Sequence, residues 1–307
     1  MPEGGAHQHL SARAIPGPFP GALNEFGPLA LVALRHPRDA FVSRAKLAAE
    51  WRPLGYHAEP DFAAAIAEYD ALVGALADAG VEVLWLPSDP TLTLDSLYVR
   101  DAAIVTPAGC VPAAMGKPAR ASEPALAAAA FTDAGLPVAG TIAGYGRLEG
   151  GDLVWLDAQT VVVGRTYRSN DTGIAQLRAL VGDRVAVHAF DLPHYKGPGD
   201  VFHLMSVWSP LAADLSLVYS PLLPVRLRTL LAERGHGFVE VPDEEFASMG
   251  CNVLATAPRA AIVVEGNPKT RARLEAAGVA VTVLKADEIS RKGEGGPTCL
   301  TRPLLRR

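Results

Sequence analysis

The chain of 307 residues is poor in cysteine, and its three cysteines, Cys110, Cys251 and Cys299, are odd in number and far apart. That spacing argues against a disulfide framework or a cysteine-rich zinc site and suits a reducing compartment. Long apolar runs are missing too. No stretch approaches the roughly 20 apolar residues that a membrane-spanning helix needs. Nor is there a basic excess: 28 Lys and Arg stand against 33 Asp and Glu, a net charge of −5. A nucleic-acid binder carries the opposite balance, so neither nucleic acid nor membrane is expected as a partner. The opening residues, Met1 to His9, lack the charged and apolar regions of a secretion signal, and a cytoplasmic location is expected. His7 and His9 read as a solvated tail rather than as metal ligands.

What is present is an ordinary globular composition, 49% apolar and 20% charged. The length suits one large domain or two small ones, and either can bury a substantial core. Residues 1–27 are rich in Gly, Pro and His and have no periodicity, so a flexible arm is expected there. A single catalytic domain is expected over 28–307.

Residues 29–34 form a buried-strand run, and 38–60 read as irregular because of their internal prolines. From Asp61, a candidate N-cap, apolar residues keep helical spacing until Gly80, and 81–86 form a strand. A unit of strand, turn, strand, helix and strand then repeats four times, about every 50 residues. Its strands are expected at 102–105, near 111 and at 138–142; at 153–156, 160–163 and 184–189; at 201–208, 215–219 and 237–241; and at 252–255, 261–264 and 279–284. The helices lie at 122–134, 172–181, 225–234 and 268–277. Simple alternation of strand and helix suggests a doubly wound sheet. The hairpin that starts every unit argues instead for blades around an axis. The expected fold is an α/β, five-bladed propeller of ββαβ repeats with pseudo-fivefold symmetry. Its fifth blade combines the first strands with a C-terminal strand after Cys299.

One position of the unit, the start of its first strand, is polar each time. Asp101, Asp152, His203, Asn252 and Cys299 occupy it, spaced 51, 51, 49 and 47 residues apart. In a radial array these side chains converge. Alone, each has an ordinary structural explanation: a strand histidine packed in the core, an aspartate bonding turn amides, a small buried thiol. Together they read as a reaction centre with Cys299 as nucleophile and His203 as acid or base. Glu149-Gly150-Gly151-Asp152 adds two carboxylates on a bend, and Asp95 and Asp101 flank another segment. Carboxylates around a thiol blunt it unless the substrate is a cation, and a planar guanidinium pairs well with them. Cys110 and Cys251 read as structural.

These residues resemble the guanidine-modifying superfamily of five-bladed α/β propellers, which includes dimethylarginine dimethylaminohydrolases, arginine deiminases and amidinotransferases. The likeness runs from about Leu29 to Leu305. It rests on Asp95-Ser-Leu-Tyr-Val-Arg-Asp101, Leu148-Glu-Gly-Gly-Asp152, Gly164-Arg-Thr-Tyr-Arg-Ser-Asn170, His203-Leu-Met-Ser206 and Gly295-Gly-Pro-Thr-Cys-Leu300. Overall spacing and the C-terminal motif look most like the dimethylaminohydrolases. The resemblance implies that Cys299 attacks the guanidinium carbon to form a covalent thiouronium, with His203 as acid and then base. It implies that Glu149 and Asp152 orient the guanidinium and the imidazole. Asp95, Arg100 and Asp101 are expected at the substrate, and Arg168 and Arg120 at its carboxylate. No cofactor and no metal are expected. The substrate is expected to be a small cationic guanidino compound, and a homodimer is compatible with this reading. An arginine deiminase, an amidinotransferase and a non-catalytic small-molecule binder are the alternatives.

Overall fold

The computed structural model describes residues 21–200 and 202–307. The expected arm over 1–20 lies outside the described residues. Residues 21–27, assigned to the same arm, pack against the body: Ala22 is buried in a core and Glu25 forms a buried ion pair with Arg100.

The described residues form five separate sheets, none of them closed on itself. The first contains β1 (Leu29–Leu34) at its centre. Helices α1 (Pro37–Ala40), α2 (Arg44–Leu54) and α3 (Phe62–Asp78) follow it. Strand β2 (Glu82–Trp85) then pairs parallel with β1. The stretch 38–60, expected to be irregular, is therefore largely helical. Helix α2 buries only Leu47, so it has no apolar stripe to read, and Pro53, which cannot donate to the carbonyl four residues back, stands one residue before its end. Ser43 caps its start, and Gly55, at φ +90°, ends it. Helix α3 begins on Asp61, whose side chain accepts from the Ala64 N–H; it buries Ala65, Tyr69, Leu72 and Leu76 along one stripe.

The second sheet holds only β3 (Ala103–Thr106) and β4 (Gly109–Pro112), followed by α4 (Glu123–Asp133). The strand expected at 138–142 is reduced to one bridge between Cys110 and Val138. Gly140, two residues on, has φ +154°.

The other three units are complete. Strands β5 (Leu153–Asp157) and β6 (Thr160–Arg165), helix α5 (Asp171–Val181) and strand β7 (Ala186–Asp191) form one. Strands β8 (Trp208–Ala212) and β9 (Leu215–Val218), helix α6 (Val225–Glu233) and strand β10 (Gly237–Glu240) form the next. After the short α7 (Asp243–Phe246) come β11 (Leu254–Ala257), β12 (Ala260–Val264), α8 (Pro268–Ala276) and β13 (Ala280–Leu284). In each unit the first two strands are antiparallel and the third pairs parallel with the second. The last strand, β14 (Arg302–Arg306), pairs antiparallel with β1 and gives the first sheet the same pattern from both ends of the chain.

Burial links the sheets. Side chains alternate across a strand, so each sheet has two apolar faces. Leu153 and Trp155 of β5 join a core shared with β3 and β4, whereas Val154 and Leu156 join one shared with β8 and β9. A further core joins β8 and β9 to β12, another joins β12 and β13 to β1, and the last joins β1 and β14 to β3. Contacts between sheets therefore run in a circuit.

Candidate active site

The start of each sheet's first strand supplies one polar side chain. Asp101 precedes β3, Asp152 precedes β5, Asn252 precedes β11 and Cys299 precedes β14. His203 differs: the strand expected over 201–208 starts only at Trp208, and His203 caps a single 3-10 turn, Leu204–Ser206. Its backbone N–H donates to Ser206 Oγ at 3.1 Å. The Leu204 N–H donates to Asp152 Oδ1 at 3.0 Å, so the turn is held by a residue far away in sequence.

Cys299 lies in the Gly295–Thr301 bend, where Leu300 N–H donates to Gly296 O and Thr301 Oγ1 to Pro297 O. Asn252 fixes this bend. Its Oδ1 accepts from the Thr298 N–H at 3.0 Å and from Thr298 Oγ1 at 2.7 Å, and its Nδ2 donates to Cys299 Sγ at 3.2 Å. A Cβ on Gly296 would stand 2.5 Å from Asn252 Oδ1, so only glycine lets the bend come this close. Burial pushes the Cys299 thiol above its usual pKa, and the Asp101 charge adds to it; the hydrogen bond from Asn252 works the other way.

His203 is buried beside three acids. Its Nε2 meets Glu149 Oε2 at 2.7 Å, while Nδ1 stands 4.0 Å from Asp101 Oδ1, beyond a hydrogen bond. Burial alone would lower its pKa, but Asp101, Asp152 and Glu149 together raise it to about 9. Burial opposes ionisation of Glu149 and Asp101, yet His203 holds both below the usual carboxylate range. Gly151 permits the close packing: a Cβ there would stand 2.6 Å from Asp101 Oδ1 and 2.9 Å from the His203 ring.

The remaining candidates separate into those that face the site and those that do not. Asp95, Asp101, Lys117, Arg120 and Arg168 line a cleft of about 30 Å³ on one side of Cys299. Asp95 is paired there with Lys117 at 2.6 Å, and Arg168 stands 3.6 Å from Glu149. Arg120 lines the cleft but is bound internally, to Glu123 through two nitrogens, to Asp101 at 2.7 Å and to Tyr98 O at 2.7 Å. A guanidinium so occupied is a structural clamp rather than a free carboxylate receptor.

Arg100 is a correction. Its backbone N–H donates to Cys299 O, but the side chain turns the other way and meets Glu25 at 2.7 Å, fully buried. Asp152 accepts from the Leu204 N–H and from the hydroxyls of Thr166 and Ser169 at 2.7 and 2.6 Å, so it ties the His203 turn to its neighbours. Burial lifts its carboxyl to about 6 in spite of these bonds. Asn252 had no assigned role in the sequence reading; its place in the repeat was the signal, and its bond to the thiol is the role. Cys110 and Cys251 are buried in cores, with Cys110 pushed up to about 12.

Among the described residues, donor atoms of Asp101, Glu149 and His203 lie within 4.8 Å of one another, close enough to surround a metal ion. Arg120 already neutralises Asp101, and the proton held by His203 competes for the same place. The set fits an acid–base relay better than a metal centre.

A thiol, an imidazole and several carboxylates come together where ββαβ units meet, and the family match and its named relatives make this chain a hydrolase of the guanidine-modifying superfamily, acting on C–N bonds of amidines. Within that class, the chain belongs to the family described as "N,N dimethylarginine dimethylhydrolase, eukaryotic", which matches residues 51–306. It is 30% identical over 245 residues to the N(G),N(G)-dimethylarginine dimethylaminohydrolase of Streptomyces coelicolor, covering 78% of this chain and 86% of that protein. It is 27% identical over 239 residues to the uncharacterized protein YkgA of Bacillus subtilis, covering 78% of this chain and 79% of that one. Among solved structures it is similar to DDAH from Pseudomonas aeruginosa in complex with citrulline, at 20% identity and a TM-score of 0.72, over 91% of this chain and all of the other. At that identity the likeness speaks to the fold.

Proposed function

We propose that this protein hydrolyses a guanidino C–N bond of a methylated arginine or a closely related compound through a covalent thiouronium on Cys299. The observation that carries the reading is that Cys299 and His203 line one chamber, with Glu149 bonded to the imidazole behind it and Asp95 and Asp101 lining the cleft on the other side of the thiol. On this reading the five linked sheets stand as blades round a common axis, and residues 28–307 act as one catalytic domain.

The resting thiol is protonated, because burial and Asp101 disfavour its anion. A bound guanidinium pairs with the carboxylates and supplies the positive charge that lets the thiol release its proton to solvent. The thiolate then adds to the guanidinium carbon, forming the C–S bond. His203 donates its proton to one nitrogen, the C–N bond breaks, and a neutral amine departs. Water adds to the resulting thiouronium carbon and gives a proton to His203. Collapse breaks the C–S bond, sheds the hydroxyl proton and leaves a ureido product and the thiolate. Glu149 orients and supports the imidazolium throughout, as a triad acid does for its histidine. Asn252 donates to the sulfur whenever it is anionic. Arg168 is the cation on the acidic side best placed for a substrate carboxylate, since its contact with Glu149 is long.

The test is a product screen on dimethylarginine, monomethylarginine, arginine and agmatine, with mass spectrometry of quenched enzyme. A ureido product without added amine acceptor, and an adduct at Cys299, are expected. Cys299→Ser should abolish turnover and keep substrate binding, because a hydroxyl at neutral pH is a far weaker nucleophile than a thiolate. Sustained turnover by that variant would overturn the mechanism, and release of product only with an amine acceptor would make the protein an amidinotransferase.

A further inference from the structure

Cys299 separates two spaces of very different size and chemistry. The acidic cleft described above has about 30 Å³. On the other side lies a chamber of about 240 Å³, lined by Cys299, His203 and Asn252. A single water needs about 10–15 Å³ on this measure, so the chamber holds far more than water or a methyl group.

The chamber's lining is largely apolar but carries charge. Phe202, Met205, Phe246 and Met249 line it, and so do Lys196 and Glu294. Its aromatic wall is already formed. Tyr219 stacks on Phe246 at 3.9 Å between ring centres, and Tyr195 meets Phe246 and Phe202 edge-on or tilted at 6.0 and 5.4 Å. A preformed wall of this kind favours a planar or bulky apolar group, since little has to be ordered on binding.

The position of His203 decides which part of a substrate goes there. Its ring lines the large chamber and not the acidic cleft, and Glu149 holds Nε2, which leaves Nδ1 as the nitrogen available for a departing amine. Asp95, Lys117, Arg120 and Arg168 line only the cleft. The amine that takes the proton of His203 thus leaves into the chamber, whose lining combines the aromatic wall with Lys196, Asp200 and Glu294.

We propose that the aromatic chamber is a leaving-group subsite, and that the preferred substrate releases an amine carrying an apolar substituent larger than methyl, such as an alkyl or arylalkyl amine. This rests on the functional reading above. It goes further by naming the substituent. The bond that breaks is the C–N bond to that amine, which leaves with the proton of His203 while the carbon stays on Cys299.

The experiment measures released amine and ureido product for wild type on arginine derivatives bearing Nω-methyl, Nω,Nω-dimethyl, Nω-butyl and Nω-benzyl groups. Butyl or benzyl substrates should exceed the methyl ones in kcat/KM by at least about tenfold, which a hydrophobic subsite of this size supports. Two variants check the wall. Tyr195→Ala removes an aromatic face and Ala247→Phe narrows the chamber. Each should lower the ratio of benzyl to methyl kcat/KM at least about fivefold, with folding confirmed by circular dichroism. Turnover of the methyl substrates with none of the larger ones overturns the proposal and leaves the functional reading intact. So does a ratio unmoved in both folded variants. Absence of amine from every substrate overturns the functional reading and this proposal with it.

Discussion

His203 is held protonated by its neighbours, and that has consequences for both stability and rate. Its folded pKa of about 9 lies above the usual histidine value of 6.5. The stabilisation it contributes is therefore fully present below about pH 6.5 and lost as pH rises through 9. The shift corresponds to something on the order of 3 kcal/mol. Thermal unfolding of the wild type should fall between pH 6.5 and 9.5, and His203→Gln should show a clearly shallower fall over that range. Parallel curves for the two proteins would mean that the acids do not hold the imidazole as described. For catalysis, attack on the guanidinium carbon needs a thiolate and an imidazolium together, and both Cys299 and His203 have raised pKa values. The plot of kcat/KM against pH should then climb through neutrality to a maximum above about pH 8. A maximum at or below pH 7 would show that substrate binding does not work against raised values in the free enzyme.

At the scale of elements, the site depends on short turns whose partners lie in other units. Asn252, just before β11, ties the Cys299 bend through three hydrogen bonds. Asn252→Ala removes the donor to sulfur and frees Thr298. A hydrogen bond to a charged group contributes about 1.5–3 kcal/mol, so kcat/KM should fall roughly 10- to 100-fold. The pH dependence of Cys299 alkylation should move upward as well, a readout that mere loosening of the bend does not produce. These turns also mark the limit of what the sequence shows. Apolar runs broken by short turns, at Asp157-Ala-Gln159 and Pro258-Arg259, reveal β5, β6, β11 and β12 because local patterning decides them. The Val201-Phe-His-Leu-Met205 stretch alternates like a strand, yet its register is set by Asp152, which accepts from Leu204 across the molecule. The same holds for Arg100. It sits between Val99 and Asp101 in a site motif, but its side chain direction follows Glu25, and nothing in the adjacent residues announces that pairing. The convergence of Asp101, Asp152, His203, Asn252 and Cys299 was readable because it depends on repeat spacing alone.

At the scale of the whole molecule, the two ends of the chain complete one sheet, and the nucleophile hangs from that completion. Strand β14 begins three residues after Cys299 and pairs with β1, and the Arg307 N–H still reaches Pro28 O at 2.9 Å. Leu304, at the centre of β14, is fully buried in the core that joins β1 to β3. Leu304→Ala leaves a cavity there and should destabilise the protein by about 2–5 kcal/mol, read as a lower denaturant midpoint. Loosening this strand also loosens the bend before it. Under native conditions Cys299 should therefore react faster with a bulky alkylating reagent, and turnover should fall more than substrate binding does. Unchanged thiol reactivity in a destabilised variant would show that the bend is positioned by Asn252 and Arg100 alone, with the strand pairing serving stability only.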